Sequence, residues 1–180
     1  YLTVKGKQGH IAYPSEALNP ATPIIKILDE LKSKPLDKGN KNFQPSNLEI
    51  TKIHIDNEVD NVIPAKASAT FNIRYNNFHT FNSLKKRILT TIKKIEKKFK
   101  CKTEVKFIST GVSFLTNPNQ TVKKIQRIIQ KETRQKTKLS TSGGTSDARF
   151  IKDIAPCIEF GLVGNTMHQV DERSSVKDMK

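Results

Sequence analysis

The sequence predicts an α/β chain whose first part is a split βαββαβ, or ferredoxin-like, layer: an antiparallel sheet with two helices on one face. Two observations carry that reading. Apolar residues step by three or four in two stretches and fall in alternation or short runs in others, the periods of helices and strands. Their order is strand, helix, strand, strand, helix, strand.

Residues 1–4 read as a strand that begins with no turn or cap before it. Asn19-Pro20 supplies an N-cap and a proline at the first helical position. The stripe Ile24, Ile25, Leu28 and Leu31 follows and ends before Pro35. Beyond a polar loop through Asn42, residues 48–55 ("LEITKIHI") alternate as a half-buried strand does, and residues 67–75 ("ASATFNIRY") alternate again. The second helix opens at Thr80, with Phe81, Leu84, Ile88, Ile92, Ile95 and Phe99 on one stripe. Residues 103–108 ("TEVKFI") complete the set. A free edge strand in such a sheet is a natural dimer seam.

After Gly111 the character changes. Thr116-Asn117-Pro118-Asn119 is a turn, and Val122, Ile125, Ile128 and Ile129 mark a third helix. The run "STSGGTSD" (residues 140–147) leads into a short helix at Ala148. Cys157 to Phe160 reads as a short buried strand, and residues 174–180 as the start of a helix. A chain that begins within a strand and stops as a helix starts is expected to be cut from something larger.

Composition narrows the function classes. The 180 residues suffice for one or two domains with a real core, and no apolar run approaches the ~20 residues of a membrane span. With no opening signal peptide, a cytoplasmic setting and no membrane partner are expected. Cys101 and Cys157 belong to no CxxC pair and read as two buried thiols. The net charge of +15 invites a nucleic-acid reading. However, Lys85, Lys86, Lys93, Lys94, Lys97 and Lys98 fall on the solvent side of an amphipathic helix, with no aromatic interleaving. No nucleic-acid partner is expected.

Certain polar residues stand out. Ser142 to Ser146 before a short helix offer backbone N–H groups and hydroxyls to a carboxylate or oxyanion, though a Gly-Gly turn is often only a cap. His168 sits in a polar loop and reads as a surface residue or a metal ligand. His10 follows a glycine turn that presents side chains outward. Arg74 is an edge charge or an anion anchor. Asn61 lies at the turn before a strand.

In order and spacing, "QGHIAYP", "NVIPA", "FNIRY", "STSGGTSDARF" and "EFGLVGNTMHQVDE" resemble the bacterial succinyl-diaminopimelate desuccinylase family. That family falls in the dinuclear zinc peptidase clan, with acetylornithine deacetylase and the aminoacylases. The resemblance spans essentially the whole chain. It implies a dimerisation or lid domain over residues 1–109. Residues 110–180 would be the C-terminal portion of a zinc-peptidase α/β catalytic domain, left incomplete here. It implies two Zn²⁺ or Co²⁺ ions per subunit, with His168 the only recognisable ligand in this chain and the others in an N-terminal segment that lies outside it. His10 is implied as the lid histidine that reaches the partner subunit's site and donates to the carbonyl oxygen. Tyr13, Asn61, Arg74, Gly144 and Thr145 are implied to hold the substrate. Asp60 departs from the pattern, since a neutral residue is expected there.

The implied activity is hydrolysis of N-succinyl-LL-2,6-diaminopimelate to succinate and LL-2,6-diaminopimelate, by a homodimer acting on a small succinylated diamino acid. This chain alone is expected to be inactive. The rivals are a lid module that dimerises without catalysis, another deacylase of the clan, and a basic nucleic-acid binder.

Overall fold

The computed structural model describes residues 1–141, 146–161 and 164–179, except for the side chain of residue 178. The chain divides into two compact units: Tyr1–Phe114 with Ser140–Ser142, and Leu115–Leu139 with Gly143–Lys180.

In the first unit the strands are β1 (Leu2–Lys5), β2 (Gly9–His10), β3 (Asn47–Ile55), β4 (Val62–Ile63), β5 (Lys66–Arg74) and β6 (Lys102–Val105). The helices are α1 (Ala21–Lys32) and α2 (Phe81–Phe99). One four-stranded sheet runs β3-β5-β1-β6, and β2 pairs with β4 in a small second sheet. Every pairing in the larger sheet is antiparallel. Each helical connection therefore crosses over a strand of the other, the split βαββαβ order expected from the sequence.

Alternation along the strands fixes which face is buried. Leu2 and Val4 of β1 lie opposite Ala69 and Ala67 of β5 and, on the other side, opposite Val105 and Thr103 of β6. The two helices cover that face with Ile24, Ile27, Leu28 and Leu31 from α1, and Ile88, Ile92 and Ile95 from α2. Ile25, expected on the α1 stripe, is exposed, and Pro23 and Ile27 are buried in its neighbourhood instead.

The caps follow the sequence closely. Asn19 Oδ1 accepts from the Ala21 N–H at 2.9 Å, and Pro20 already has helical dihedrals. Thr80 and Ser83 form a reciprocal capping box at α2. The lysines between the α2 stripes are exposed. At the far end Lys100 takes the left-handed conformation, and Cys101 behind it is buried with its thiol pushed up by desolvation.

In the second unit, α3 (Gln120–Thr133) is capped by the Asn119 side chain, and α4 (Ala148–Ile151) is a single turn. A 3₁₀ turn, Val176–Met179, stands where a helix start is expected. Residues 156–160 form no strand. Ile158 and Phe160 are exposed and Cys157 is half-buried, so the expected buried strand is corrected. A strand has no hydrogen bonds of its own, and none of the described residues offers this segment an edge to pair with. Both cysteines are free thiols. Among the described residues no helix is long and apolar enough to cross a membrane.

Candidate functional site

A short hairpin carries His10. Gly9 of β2 faces Ile63, and His10 faces Val62 of β4. The strand lies so close to the following segment that a Cβ on Gly9 would meet the Ala17 Cβ at 2.7 Å, and one on Gly6 would meet the Leu18 carbonyl at 2.4 Å. Both positions need glycine for space, not for an unusual φ. The Ile11 N–H donates to the Asn61 carbonyl at 3.1 Å, and the Tyr13 N–H donates to the His10 carbonyl at 2.9 Å. Asn57 braces the other side, its amide donating to the Val59 and Val62 carbonyls at 2.9 and 3.0 Å.

The result is an exposed ledge on which His10, Tyr13 and Asn61 come together. The rings of His10 and Tyr13 are tilted at 51° with centroids 5.9 Å apart. Nδ1 of His10 accepts from the Ala12 N–H at 3.1 Å. Asp60, next to Asn61, is exposed on the same loop.

Arg74 is placed elsewhere. It ends β5, paired opposite Asn47, whereas the hairpin adjoins the Lys66 end of that strand through Gly6 N–H to Ala65 O at 2.7 Å. Nine residues of strand separate the two ends by about 26 Å.

Beside Arg74 sits a polar knot that the sequence does not announce. Asp37, with its side chain 9% exposed, accepts from the Asn76 amide at 2.7 Å, the Gly39 N–H at 2.7 Å and the Ser46 N–H at 3.2 Å. His79 Nε2 lies 3.1 Å from its other oxygen. Burial pushes the Asp37 carboxyl up, but the hydrogen bonds from Ser46, Gly39 and Asn76 outweigh it and hold the group well below the usual carboxylate range. The knot folds the loop after Asp37, where Gly39 is left-handed (φ 72°). The Asn42 carbonyl of that loop accepts from the Thr141 hydroxyl.

Gly144 and Thr145 lie outside the described residues. Just after them, the Ser146 hydroxyl accepts from the Ala148 N–H at 3.2 Å and starts α4. His168 is exposed in a turn with φ 59°, and its backbone N–H donates to Glu172 at 3.1 Å. Among the described residues no three His, Cys, Asp or Glu side chains come together as a metal site. His168 is thus a single candidate ligand, and one ligand does not fit a metal centre.

The hairpin could have been suspected from "QGH" and "NVIP", where glycine and proline bracket short apolar pieces. The Ala12 N–H, the Gly9–Ala17 contact and the Asp37 knot leave no periodic signal.

Comparison with known proteins places this geometry. The peptidase dimerisation domain family matches residues 1–100. A succinyl-diaminopimelate desuccinylase of Pelagibacter ubique is 59% identical over 179 residues, 99% of this chain and 47% of that protein. One from Rickettsia bellii is 45% identical over 99% of this chain and 46% of its own length. The chain therefore spans about half the length of the curated relatives it matches. Among solved structures, a tripeptidase from Staphylococcus aureus superposes with a TM-score of 0.75 at 21% identity, covering 99% of this chain and 46% of that one. An aminopeptidase from Bacillus cereus gives a TM-score of 0.67 at 16% identity, covering 86% and 40%. These two likenesses are of fold alone.

Proposed function

This chain belongs to the peptidase dimerisation domain family, and on that premise we propose that it is part of a metal-dependent amidohydrolase acting on N-succinyl-LL-2,6-diaminopimelate. The products are succinate and LL-2,6-diaminopimelate. The observation that carries this reading is the exposed ledge of His10, Tyr13 and Asn61, in a chain so similar to proteins of that name.

In this reading residues 1–109 are the lid and dimerisation domain, and residues 110–180 are part of a catalytic domain completed by chain outside this sequence. Two zinc or cobalt ions, held by His168 together with residues beyond this chain, would supply an activated water and polarise the amide. His10 donates a hydrogen bond to the amide oxygen as it becomes negative. Tyr13 and Asn61 line the same ledge. Arg74 takes a carboxylate of the substrate through its two-pronged guanidinium, and Gly144 and Thr145 are further substrate-holding positions.

The separation along β5 supports a site shared between subunits. Arg74 lies at the end of β5 remote from the one the His10 hairpin adjoins, about 26 Å along the strand, a placement that suits two copies each supplying one of the two residues. β3 is an edge strand with Ile53 54% exposed, a seam for a second copy in a homodimer. The family match also suits a lid that dimerises without chemistry. The two readings diverge in one assay.

The full-length protein supplied with zinc or cobalt should release succinate from the succinylated substrate, and the 180-residue chain should not. His10→Ala in the full-length protein should lower kcat about a hundredfold to a thousandfold with a smaller change in KM. Full activity in that variant contradicts the role of His10. No hydrolysis by the full-length protein leaves the lid module standing. His168→Ala should cost one of two bound metals, with the fold retained; metal analysis still showing both ions would remove His168 from the ligand set.

A further inference from the structure

His10 makes one hydrogen bond through its ring, and that bond constrains its chemistry. The Ala12 N–H donates to Nδ1 at 3.1 Å, so Nδ1 must offer a lone pair. Nε2 has no partner among the described residues, and the side chain is exposed. A neutral imidazole carries one proton, so with Nδ1 accepting, that proton sits on Nε2.

We propose that the Ala12 backbone N–H fixes His10 as the Nε2–H tautomer, making it a one-way donor that serves a carbonyl or oxyanion and is barred from ligating metal. Ligation through Nε2 would need the proton on Nδ1, where it would face the Ala12 N–H, donor against donor. Three contacts hold this arrangement. Gly9 lets the strand lie against Ala17, the Tyr13 N–H closes the turn onto the His10 carbonyl, and the Ile11 N–H ties the turn to Asn61. Ala12 is thus a positioning residue acting through His10. This role rests on the proposed amide hydrolysis only for its catalytic consequence. The tautomer stands without it.

The test uses the 180-residue chain labelled with ¹⁵N. Ring spectra of the neutral protein should show a pyridine-type Nδ1 and a pyrrole-type Nε2 for His10. A through-hydrogen-bond coupling between the Ala12 amide nitrogen and Nδ1 should also be seen, which van der Waals contact alone would not give. Ala12→Gly keeps the N–H and should keep both signals. Ala12→Pro removes the donor and should lose the coupling, with the ring shifts moving toward averaged values. A protonated Nδ1 in the wild-type chain, no coupling to Ala12, or a direct shift of His10 Nε2 on adding zinc would each overturn the proposal. In the full-length protein, Ala12→Pro should lower kcat about tenfold, within the worth of one ordinary hydrogen bond, with KM little changed. If the ring signals are as stated but the full-length protein hydrolyses no succinylated substrate, the tautomer holds and the enzymatic reading fails.

Discussion

At the scale of single residues the molecule spends its polar chemistry on two small constructions, the His10 turn and the Asp37 knot. Burial pushes the Asp37 carboxyl up, yet the hydrogen bonds from Ser46, Gly39 and Asn76 to its charged form hold it well below the ordinary value of about 3.9. A carboxylate depressed by folding contributes stability that is fully present above the unfolded value and is lost as pH falls toward the folded one. Acid unfolding should therefore begin below about pH 4, with protonation of Asp37 among its causes. Asp37→Asn keeps the shape but not the charge. It should cost about 2 kcal/mol at neutral pH, because Gly39, Ser46, Asn76 and His79 all address that charge. The deficit should shrink as pH falls below about 4; urea melts across pH 2 to 7 check this, and a deficit independent of pH would refute it. The knot also shows what could not be foreseen. Asp37, Ser46, Asn76 and His79 lie far apart in a polar sequence, and nothing in composition distinguishes a buried aspartate from a loop one. His10 was legible from its glycine turn, but its tautomer depends on the backbone of Ala12, which any residue except proline would supply.

At the scale of elements, the strands and helices were legible because their periods are strong, and the departures have local causes. β3 is the instructive case. Its apolar residues are Leu48, Ile50, Ile53 and Ile55, which break strict alternation between Ile50 and Ile53. The pairing resolves this: Ile50 faces Phe71, Lys52 faces Thr70, and Thr51 is an extra residue in the ladder. The bulge keeps Ile53 and Ile55 in line with Ala69 and Ala67, on the side of Leu48 and Ile50. Deleting Thr51 should then regularise the strand without turning any isoleucine over, leaving stability within about 1 kcal/mol of wild type. Inserting a residue after Ile53 instead turns Ile55 to the open face and should destabilise. Equal losses from both changes, by urea titration, would count against the register. The α2 cap gives a second check at this scale. Thr80→Ala removes the acceptor for the Ser83 N–H at 3.1 Å and should cost about 1 kcal/mol, while Thr80→Ser should cost only a few tenths. The edges of β6 were harder to place. Its ladder to β1 stops at Val105, although Tyr1 and Lys106 still exchange backbone bonds of 2.8 and 2.9 Å at its margin.

At the scale of the whole molecule, the two units differ in kind. The core cluster, from Leu2 and Val4 through Ile92, Ile95 and Cys101, lies wholly within the first unit, between one sheet face and two helices. In the second, Val122 and Ala148 are the buried apolar residues among those described, while Ile154 is 87% and Val170 90% exposed. Phe150, Phe160, Met167 and Val176 are exposed as well. Apolar surface of that extent marks an interaction site or a face that further chain covers. Residues 157–160 read as a buried strand in sequence because their composition suits a sheet interior, yet among the described residues no strand pairs with them. The two units should therefore separate in stability. Residues 1–114 expressed alone should unfold cooperatively, with a midpoint within a few degrees of the main transition of the 180-residue chain. Residues 115–180 alone should show no cooperative transition, since Val122 and Ala148, the apolar side chains buried among its described residues, cannot offset the conformational entropy of ordering the segment. A dye that reports exposed apolar surface should bind the 180-residue chain, lose most of that signal in the 1–114 piece, and bind the full-length protein weakly. A sharp, independent melt from residues 115–180, or no change in dye binding on their removal, would show that the second unit closes on itself. The apolar surface would then need a partner other than the rest of the same chain.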